Sequence, residues 1–255
     1  MVQHWVRFNQ SGETGFGTLD GDRIRVYTGN MFDNPAPTSN YVDAREARLL
    51  APCLPGKAVA LWNNFHALGK KLGLSTPAEP LYFIKPSNSY LDPEETIRKP
   101  QQEGKVVFEG ELGVVIGKQA TRVAEEDALS HVFGYTCIND VTHADILNRD
   151  PSFVQWTRSK GFDTFCPIGP VIATGLDPAT LSIRTVLNGD VRQDYPIADM
   201  VFSVAQLVSR ISHDMTLNPG DMIMCGTSVG VGSMKPGSTI EIDIAGIGKL
   251  INRFE

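Results

Sequence analysis

Three carboxylates stand where a metal ion could bind them. Glu109 and Glu111 are two residues apart in an apolar stretch, and alternate residues of a strand point to one face of a sheet. Asp140 ends a second apolar stretch, and residues at strand ends often carry function. Such close like charges repel each other unless a cation neutralises them. The donors are all oxygen, which favours Mg²⁺, with Mn²⁺ as an alternative. From the residues alone, a solvated acidic edge and a helix cap or turn remain open alternatives.

Two further segments could bind an anion. Lys160 lies among glycine, aromatic and proline residues, a setting that suits a clamp on a carboxylate or an enolate. An ordinary surface lysine is the alternative. Residues 226–232 are glycine-rich, and backbone amides in such a loop can bind an anion, although a plain turn has the same composition. This loop is not a Walker motif, because neither Gly-Lys-Ser/Thr nor a helix follows it.

The elements that must position these residues are mostly strands. Asn188-Gly189 predicts a tight hairpin, and Ser203 with Gln206 predicts a capped helix that ends near His213. Helical spacing is also present over residues 65–72 and 124–132. No alternation of strand and helix is sustained, which excludes Rossmann and TIM-barrel folds. The sequence therefore predicts a β-rich α+β fold, with a twisted sheet or barrel and few short helices.

The chain divides into two predicted units, a small N-terminal β-module over residues 1–57 and a main domain over residues 58–255. Alternating residues and an Asp20-Gly21 turn indicate strands in the module. Residues 34–37 contain two prolines and predict a loop, and residues 41–50 predict a short helix.

Composition narrows the class of protein. The chain has 255 residues, 42% of them hydrophobic, which is enough for one large domain with its own core. The net charge is −6 without a Lys/Arg cluster, which argues against nucleic acid and anionic membrane surfaces as partners. The sequence predicts no leader peptide or transmembrane segment. The cysteines are widely spaced, which predicts reduced thiols in a cytoplasmic protein; they are Cys53, Cys137, Cys166 and Cys225.

As an ordered set, five motifs resemble the fumarylacetoacetate hydrolase superfamily, and the resemblance runs from about residue 59 to 254. The matching stretches are residues 81–86 (LYFIKP), 108–118 (FEGELGVVIGK), 134–140 (GYTCIND), 160–163 (KGFD) and 215–227 (MTLNPGDMIMCGT). The later half is especially similar to bacterial isomerase/decarboxylases of the homoprotocatechuate meta-cleavage pathway.

The resemblance implies a mixed β-roll or barrel, a homodimer, and Mg²⁺ held by Glu109, Glu111 and Asp140. It implies 2-oxo or 2,4-dioxo acid substrates that chelate the metal. Lys160 would contact the chelated oxygens, and Thr227, with Gly226 and the loop that follows, would hold a substrate carboxylate.

The predicted lid, residues 62–74, departs from the family pattern. Hydrolases of the family commonly carry a histidine and a glutamate there to activate water, and Leu68 and Lys71 take those places. Phe65 is expected to close over the substrate, and His66 is assigned as the general acid/base because histidine ordinarily titrates near neutrality. The alternative base is His143.

The expected reaction is hydrolysis of a carbon–carbon bond in an acylpyruvate- or fumarylacetoacetate-like substrate of aromatic-compound catabolism. The alternative reaction is isomerisation or decarboxylation of an unsaturated 2-oxo diacid. A dimeric ligand-binding module without enzymatic activity is a third interpretation.

Overall fold

The computed structural model describes residues 1–255, and strands form most of its regular structure. The strands are β1 Gln3–Gln10, β2 Glu13–Asp20, β3 Arg23–Asn30, β4 Asp33–Asp43, β5 Arg48–Leu50, β6 Ala58–Trp62, β7 Leu81–Lys85, β8 Tyr90–Leu91, β9 Thr96–Ile97, β10 Val106–Phe108, β11 Gly110–Ile116, β12 Val132–Asn139, β13 Thr142–His143, β14 Cys166–Thr174, β15 Ser182–Leu187, β16 Asp190–Pro196, β17 Met222–Met224, β18 Gly232–Ser233, β19 Ser238–Ile244 and β20 Gly248–Phe254. The α-helices are α1 His66–Leu72, α2 Ala144–Leu147, α3 Trp156–Lys160 and α4 Val204–Asp214.

The largest sheet has twelve strands, and all except β17 come from the first 174 residues of the chain. Its order is β4-β3-β2-β1-β14-β12-β11-β17-β6-β7, with β5 beside β1 and β8 beside β14. Most neighbours are antiparallel, but β17 and β6 run parallel, so the sheet is mixed. A five-stranded sheet, β16-β15-β19-β20-β9, and a three-stranded sheet, β13-β10-β18, complete the fold. The predicted β-rich α+β fold with few short helices is confirmed.

The central strands of the large sheet are buried on both faces. Every residue of β11 is buried, and β17 beside it is buried throughout. Strands of this kind consist of near-continuous apolar residues, because neither face meets water. A charged side chain on β11 is therefore an exception that needs a partner.

The N-terminal strands continue the large sheet. Residues 3–5 of β1 pair with residues 172–174 of β14 in antiparallel register. The predicted helix over residues 41–50 is wrong, because this segment contains the end of β4, one 3₁₀ turn and β5. Pairing with β3 and β1 overrides the local pattern. Residues 34–37 also lie in β4, where the outer edge of the sheet tolerates proline.

The helix predictions differ in outcome. α4 begins after Ser203, whose side chain and that of Gln206 form the predicted capping box, and it ends at Asp214. Residues 125–131 form a 3₁₀ helix rather than an α-helix.

The four cysteines are buried and free, as predicted. No helix is long and apolar enough to cross a bilayer.

Candidate metal centre and active site

Strand pairing brings the three predicted carboxylates together. β11 and β12 are antiparallel with Gly110 opposite Asn139, so Glu109 and Asp140 lie at the same end of the pair. The backbone N–H of Asp140 donates to the carbonyl oxygen of Glu109 at 2.9 Å. One carboxylate oxygen from each of Glu109, Glu111 and Asp140 lies within 4.8 Å of the others. The three carboxylates therefore form one cluster, at the end of the most buried strands of the sheet.

The Glu111 carboxylate is the most isolated group of this cluster. Its side chain is fully buried, and its Oε2 accepts a hydrogen bond from the backbone N–H of Gly226 at 2.9 Å. Its Oε1 is buried and has no hydrogen-bond partner. A buried charged oxygen without a partner is costly, so such an atom in a folded protein needs an explanation.

Lys160 reaches the cluster from the last residue of α3. Its Nζ lies 2.6 Å from Asp140 Oδ2 and 3.0 Å from Glu109 Oε2. It also donates to Thr142 Oγ1 at 2.6 Å, and the Thr142 hydroxyl donates to Glu109 Oε1 at 2.8 Å. The predicted clamp residue therefore lies among the predicted metal ligands, and Thr142 links the lysine to Glu109.

A second buried lysine, Lys85, lies behind Asp140. Its Nζ is 2.8 Å from Asp140 Oδ1 and donates to the carbonyl oxygens of Phe165 at 2.8 Å and of Lys160. The side chain is completely buried at the end of β7. It thus joins one carboxylate of the cluster to the backbone that carries Lys160. The sequence analysis gave Lys85 no role, since nothing local distinguishes it from a lysine that ends an edge strand.

The charges of the cluster balance only if a cation binds or one carboxyl group is protonated. Three carboxylates face two ammonium groups, which leaves one surplus negative charge if all are ionised. Burial, followed by the charges of Asp140 and Glu109, raises the pKa of Glu111 well above its ordinary value. Burial also raises the pKa of Glu109. Burial acts in the same direction on Asp140, but Lys160 and Lys85 outweigh it and lower the pKa of Asp140. Glu111 is therefore the carboxyl group that most readily takes up a proton while no cation is bound.

These residues fit a hard divalent cation. The donor set consists of carboxylate oxygens, the ligands that Mg²⁺ and Mn²⁺ prefer. The unpartnered Glu111 Oε1 and the surplus negative charge are the two features that a bound cation would satisfy. Glu109, Glu111 and Asp140 are the residues that would hold it.

The loop that begins at Gly226 is fixed to the segment between the two glutamates. Gly226 contacts Glu111 through its N–H, and the Thr227 hydroxyl donates to the Gly110 carbonyl oxygen at 3.0 Å. The Gln193 amide accepts from the Gly110 N–H at 3.0 Å and donates to Thr227 Oγ1 at 2.8 Å. Thr227 and Gly226 therefore lie beside the cluster, and Thr227 must release Gly110 before its hydroxyl can donate to a substrate.

The two lid residues with predicted roles differ in burial. Phe65 is fully buried and packs edge-to-face on Tyr195, with ring centroids 5.0 Å apart. The Tyr195 hydroxyl donates to the Gly110 carbonyl oxygen, so Phe65 supports the segment between the glutamates. His66, the first residue of α1, is exposed and makes no hydrogen bond. The structure thus connects Phe65 to the cluster indirectly and leaves His66 facing solvent.

The alternative base, His143, is turned away from the carboxylates. Thr142 and His143 are consecutive residues of β13, so their side chains point to opposite faces, and Thr142 faces the cluster. The His143 ring is buried, with Phe162 at a centroid distance of 6.0 Å. Its Nε2 lies 3.4 Å from the carbonyl oxygen of Gln102. This geometry gives His143 no contact with the cluster.

The fold and the order of these residues match one known family. The model described as fumarylacetoacetate (FAA) hydrolase C-terminal matches residues 57–255, which is most of the chain. The chain belongs to the fumarylacetoacetate hydrolase family. A second model, described as Rv2993c-like, N-terminal, matches residues 3–52. Members of the fumarylacetoacetate hydrolase family are enzymes, and they commonly bind a divalent metal.

The named relatives of this chain include isomerases and also a hydrolase, the fumarylacetoacetate hydrolase of Exiguobacterium antarcticum, which superposes with a TM-score of 0.83 at 29% identity over 99% of both chains. The chain is 40% identical to protein Rv2993c of Mycobacterium tuberculosis over 247 residues. This alignment covers 93% of this chain and 92% of that protein. It is 36% identical to the 4-hydroxyphenylacetate degradation bifunctional isomerase/decarboxylase of Escherichia coli, over 92% of this chain but 55% of the relative. The crystal structure of 2-hydroxyhepta-2,4-diene-1,7-dioate isomerase from Mycobacterium marinum superposes with a TM-score of 0.90 at 37% identity, covering 99% and 98% of the two chains.

Replacing Lys85 with Met is expected to lower the free energy of unfolding by about 3–5 kcal/mol, because Asp140 then loses one of its two buried counter-charges. Urea denaturation monitored by circular dichroism measures the change. The matched control is Lys249→Met, which removes a half-exposed ammonium group 3.5 Å from Glu241 and should cost less than about 1 kcal/mol. Equal effects of the two substitutions would contradict the structural role of Lys85.

Proposed function

We propose that the protein is a Mg²⁺-dependent enzyme that converts 2-oxo acids through an enolate, by isomerisation or decarboxylation of an unsaturated 2-oxo diacid. The observation that carries this proposal is the buried cluster of three carboxylates with one surplus negative charge beside Lys160. A divalent cation bound there supplies Lewis-acid polarisation of the 2-oxo group and stabilises the enolate.

The chain's own residues would bind and orient the substrate. Lys160 would donate to the oxygens of the 2-oxo acid in exchange for one of its three acceptors in the cluster, which are Glu109 Oε2, Asp140 Oδ2 and Thr142 Oγ1. The Gly226 loop holds the substrate carboxylate, with Thr227 as a hydroxyl donor fixed by Gln193. Phe65 and its partner Tyr195 exclude water from this side of the cluster.

The lid favours isomerisation or decarboxylation over hydrolysis. Hydrolysis needs a base that activates water, whereas isomerisation needs one group that moves a proton between carbons. Leu68 is buried and apolar, and Lys71 is exposed and cationic, so neither replaces the histidine and glutamate of the hydrolases. The relatives named as isomerases and isomerase/decarboxylases support the same choice.

An ultraviolet assay separates the reactions. The protein, treated with EDTA and resupplied with Mg²⁺, is tested on unsaturated 2-oxo diacids, acylpyruvates and oxaloacetate. A shift of the double-bond absorbance, or release of CO₂, on the unsaturated diacids supports the proposal. Turnover of acylpyruvates with release of a carboxylic acid and pyruvate identifies the hydrolase instead. Ligand binding without turnover of any compound identifies a binding module.

Two further parts of the proposal concern organisation. We infer a homodimer in the cytoplasm, and a functional division at residue 57, from the resemblance of the motifs and from the composition. We then assign the N-terminal module a structural role and no part in catalysis, since the proposed site residues all lie after residue 57.

His66 is proposed to transfer the proton when the lid segment moves toward the substrate. His66→Ala should lower kcat about a hundredfold. His143→Ala should leave kcat nearly unchanged, because His143 faces away from the cluster. Steady-state kinetics of both variants measure this. If His66→Ala keeps the kcat of the wild type, a carboxylate, water or the substrate itself transfers the proton.

A further inference from the structure

One face of the β6–β7 pair changes from charged to aromatic along its length. In the antiparallel register, Ala58 lies opposite Lys85, Ala60 opposite Phe83 and Trp62 opposite Leu81. Opposite residues and alternate residues share a face. Lys85, Phe83 and Trp62 therefore point to the same side of the sheet. The two alanines opposite Lys85 and Phe83 are buried in the core, whereas Phe83 and Trp62 are only partly buried.

A third ring covers this face from α3. Trp156, the first residue of α3, stacks on Phe83 with ring centroids 5.0 Å apart and an interplanar angle of 11°. Trp62 packs on the same indole at 5.4 Å, with an interplanar angle of 54°. We call Trp62, Phe83 and Trp156 the aromatic wall. It combines one residue of the lid, one of the sheet and one of the helix that carries Lys160.

The aromatic wall begins at the cluster. Lys160 Nζ lies 5.2 Å from the centroid of the Phe83 ring, within the distance of a cation–π interaction. Along β7, Phe83 is two residues from Lys85, a rise of about 7 Å. A molecule bound at Lys160 is thus next to Phe83. The part of the molecule that is farther from Lys160 can then lie along the aromatic wall.

Burial decreases along the same direction. Lys85 and Lys160 are buried, whereas Trp62, Phe83 and Trp156 are each only partly buried. Three aromatic side chains gathered at a reaction centre and still partly open to solvent expose apolar area that a ligand could cover. None of the three carries a charge, so the wall offers π-faces rather than ion pairs.

We infer that the aromatic wall of Trp62, Phe83 and Trp156 selects substrates whose distal chain is planar, either conjugated or aromatic. This inference rests on the proposed function, because it assumes that the 2-oxo acid end binds at the carboxylate cluster and Lys160. A planar π-system stacks on such rings in the offset or edge-to-face arrangements that aromatic pairs prefer, and a saturated chain cannot make these contacts.

Binding of two probes to the Mg²⁺-loaded protein tests the inference by calorimetry. Oxalate carries only the chelating end, and 2-oxo-4-phenylbut-3-enoate adds a planar conjugated chain. Phe83→Leu and Trp156→Leu should each weaken binding of the phenyl compound by about three- to tenfold, the size of one aromatic contact. Oxalate binding should change by less than about twofold. Tyr82→Leu is the matched control, since Tyr82 points to the other face of β7 and bonds to Asp214.

A measurement on the unaltered protein keeps the test independent of folding in the variants. The protein has three tryptophans, and two of them lie in the wall. The phenyl compound should quench their fluorescence, and oxalate should not. The inference is overturned if oxalate binds but the phenyl compound causes no quenching, or if Phe83→Leu and Trp156→Leu weaken both probes equally. If oxalate itself does not bind in the presence of Mg²⁺, the result instead contradicts the proposed function on which the inference depends.

Discussion

Replacing Glu111 with Gln is expected to make the metal-free protein more stable and to abolish its response to Mg²⁺. Ionised Glu111 would add an unbalanced negative charge to the cluster, so burial favours its protonated form, and its Oε1 has no partner. The amide has nearly the same shape but no charge to desolvate. Activity should fall at least about a thousandfold, because a metal ligand is lost.

The pH dependence of this stability change follows from the pKa of Glu111. Burial raises that pKa, so the folded protein binds the proton more tightly than the unfolded chain does. The carboxyl therefore favours folding at pH values below its unfolded pKa, and this contribution is lost as the pH rises through the folded pKa. Near pH 7–8 Glu111→Gln should raise the melting temperature in EDTA by a few °C, as about 1–2 kcal/mol does in a domain of this size. The gain should shrink as the pH falls.

Thermal unfolding with EDTA and with Mg²⁺ measures both effects. Mg²⁺ should raise the melting temperature of the wild type, because a ligand that binds only the folded state stabilises it, and should leave Glu111→Gln unchanged. Glu241→Gln is the control, a partly exposed glutamate beside Lys249 on β19 that should change stability by less than about 1 kcal/mol. A variant that loses stability in EDTA, or that still responds to Mg²⁺, would show that ionisation of Glu111 does not oppose folding or that Glu111 is not a metal ligand.

Replacing Lys160 with Met is expected to lower kcat/KM by about a hundred- to a thousandfold, the effect of losing one donor to a developing negative charge. In contrast to Glu111→Gln, this change should destabilise the metal-free protein. It leaves Lys85 as the only ammonium group among three buried carboxylates. Steady-state kinetics and thermal unfolding in EDTA measure the two effects.

Lys160 is not expected to form a Schiff base. Burial lowers the pKa of Lys160, but Asp140 and Glu109 outweigh burial and raise it, so the amine is protonated at neutral pH. A Schiff base needs the neutral amine. Borohydride added during turnover should therefore leave the mass of the Lys160 peptide unchanged. A reduced substrate adduct on that peptide would show that Lys160 is a covalent catalyst and not a clamp.

The sequence pointed to the carboxylates because their arrangement depends on local order. Glu109 and Glu111 share a strand, and Asp140 follows the strand that pairs with it. The residue pattern alone left a solvated acidic edge open, and the family resemblance was needed to join the three into one site. Lys85 and Gln193 were not predicted, because each reaches the cluster from a strand far away in the chain. The helix expected over residues 41–50 failed for the same reason, since the pairing partners of β4 and β5 decide the conformation there.

The pairing of β1 with β14 covers what would otherwise be an open edge of the sheet. β12 pairs with one side of β14, and β1 covers the other side at residues 172–174. Without β1, this part of β14 would be a bare edge rich in apolar residues, the kind of template on which chains add to one another. β1 precedes β14 in the chain and pairs with it along this edge, so the edge is not free to add to another chain.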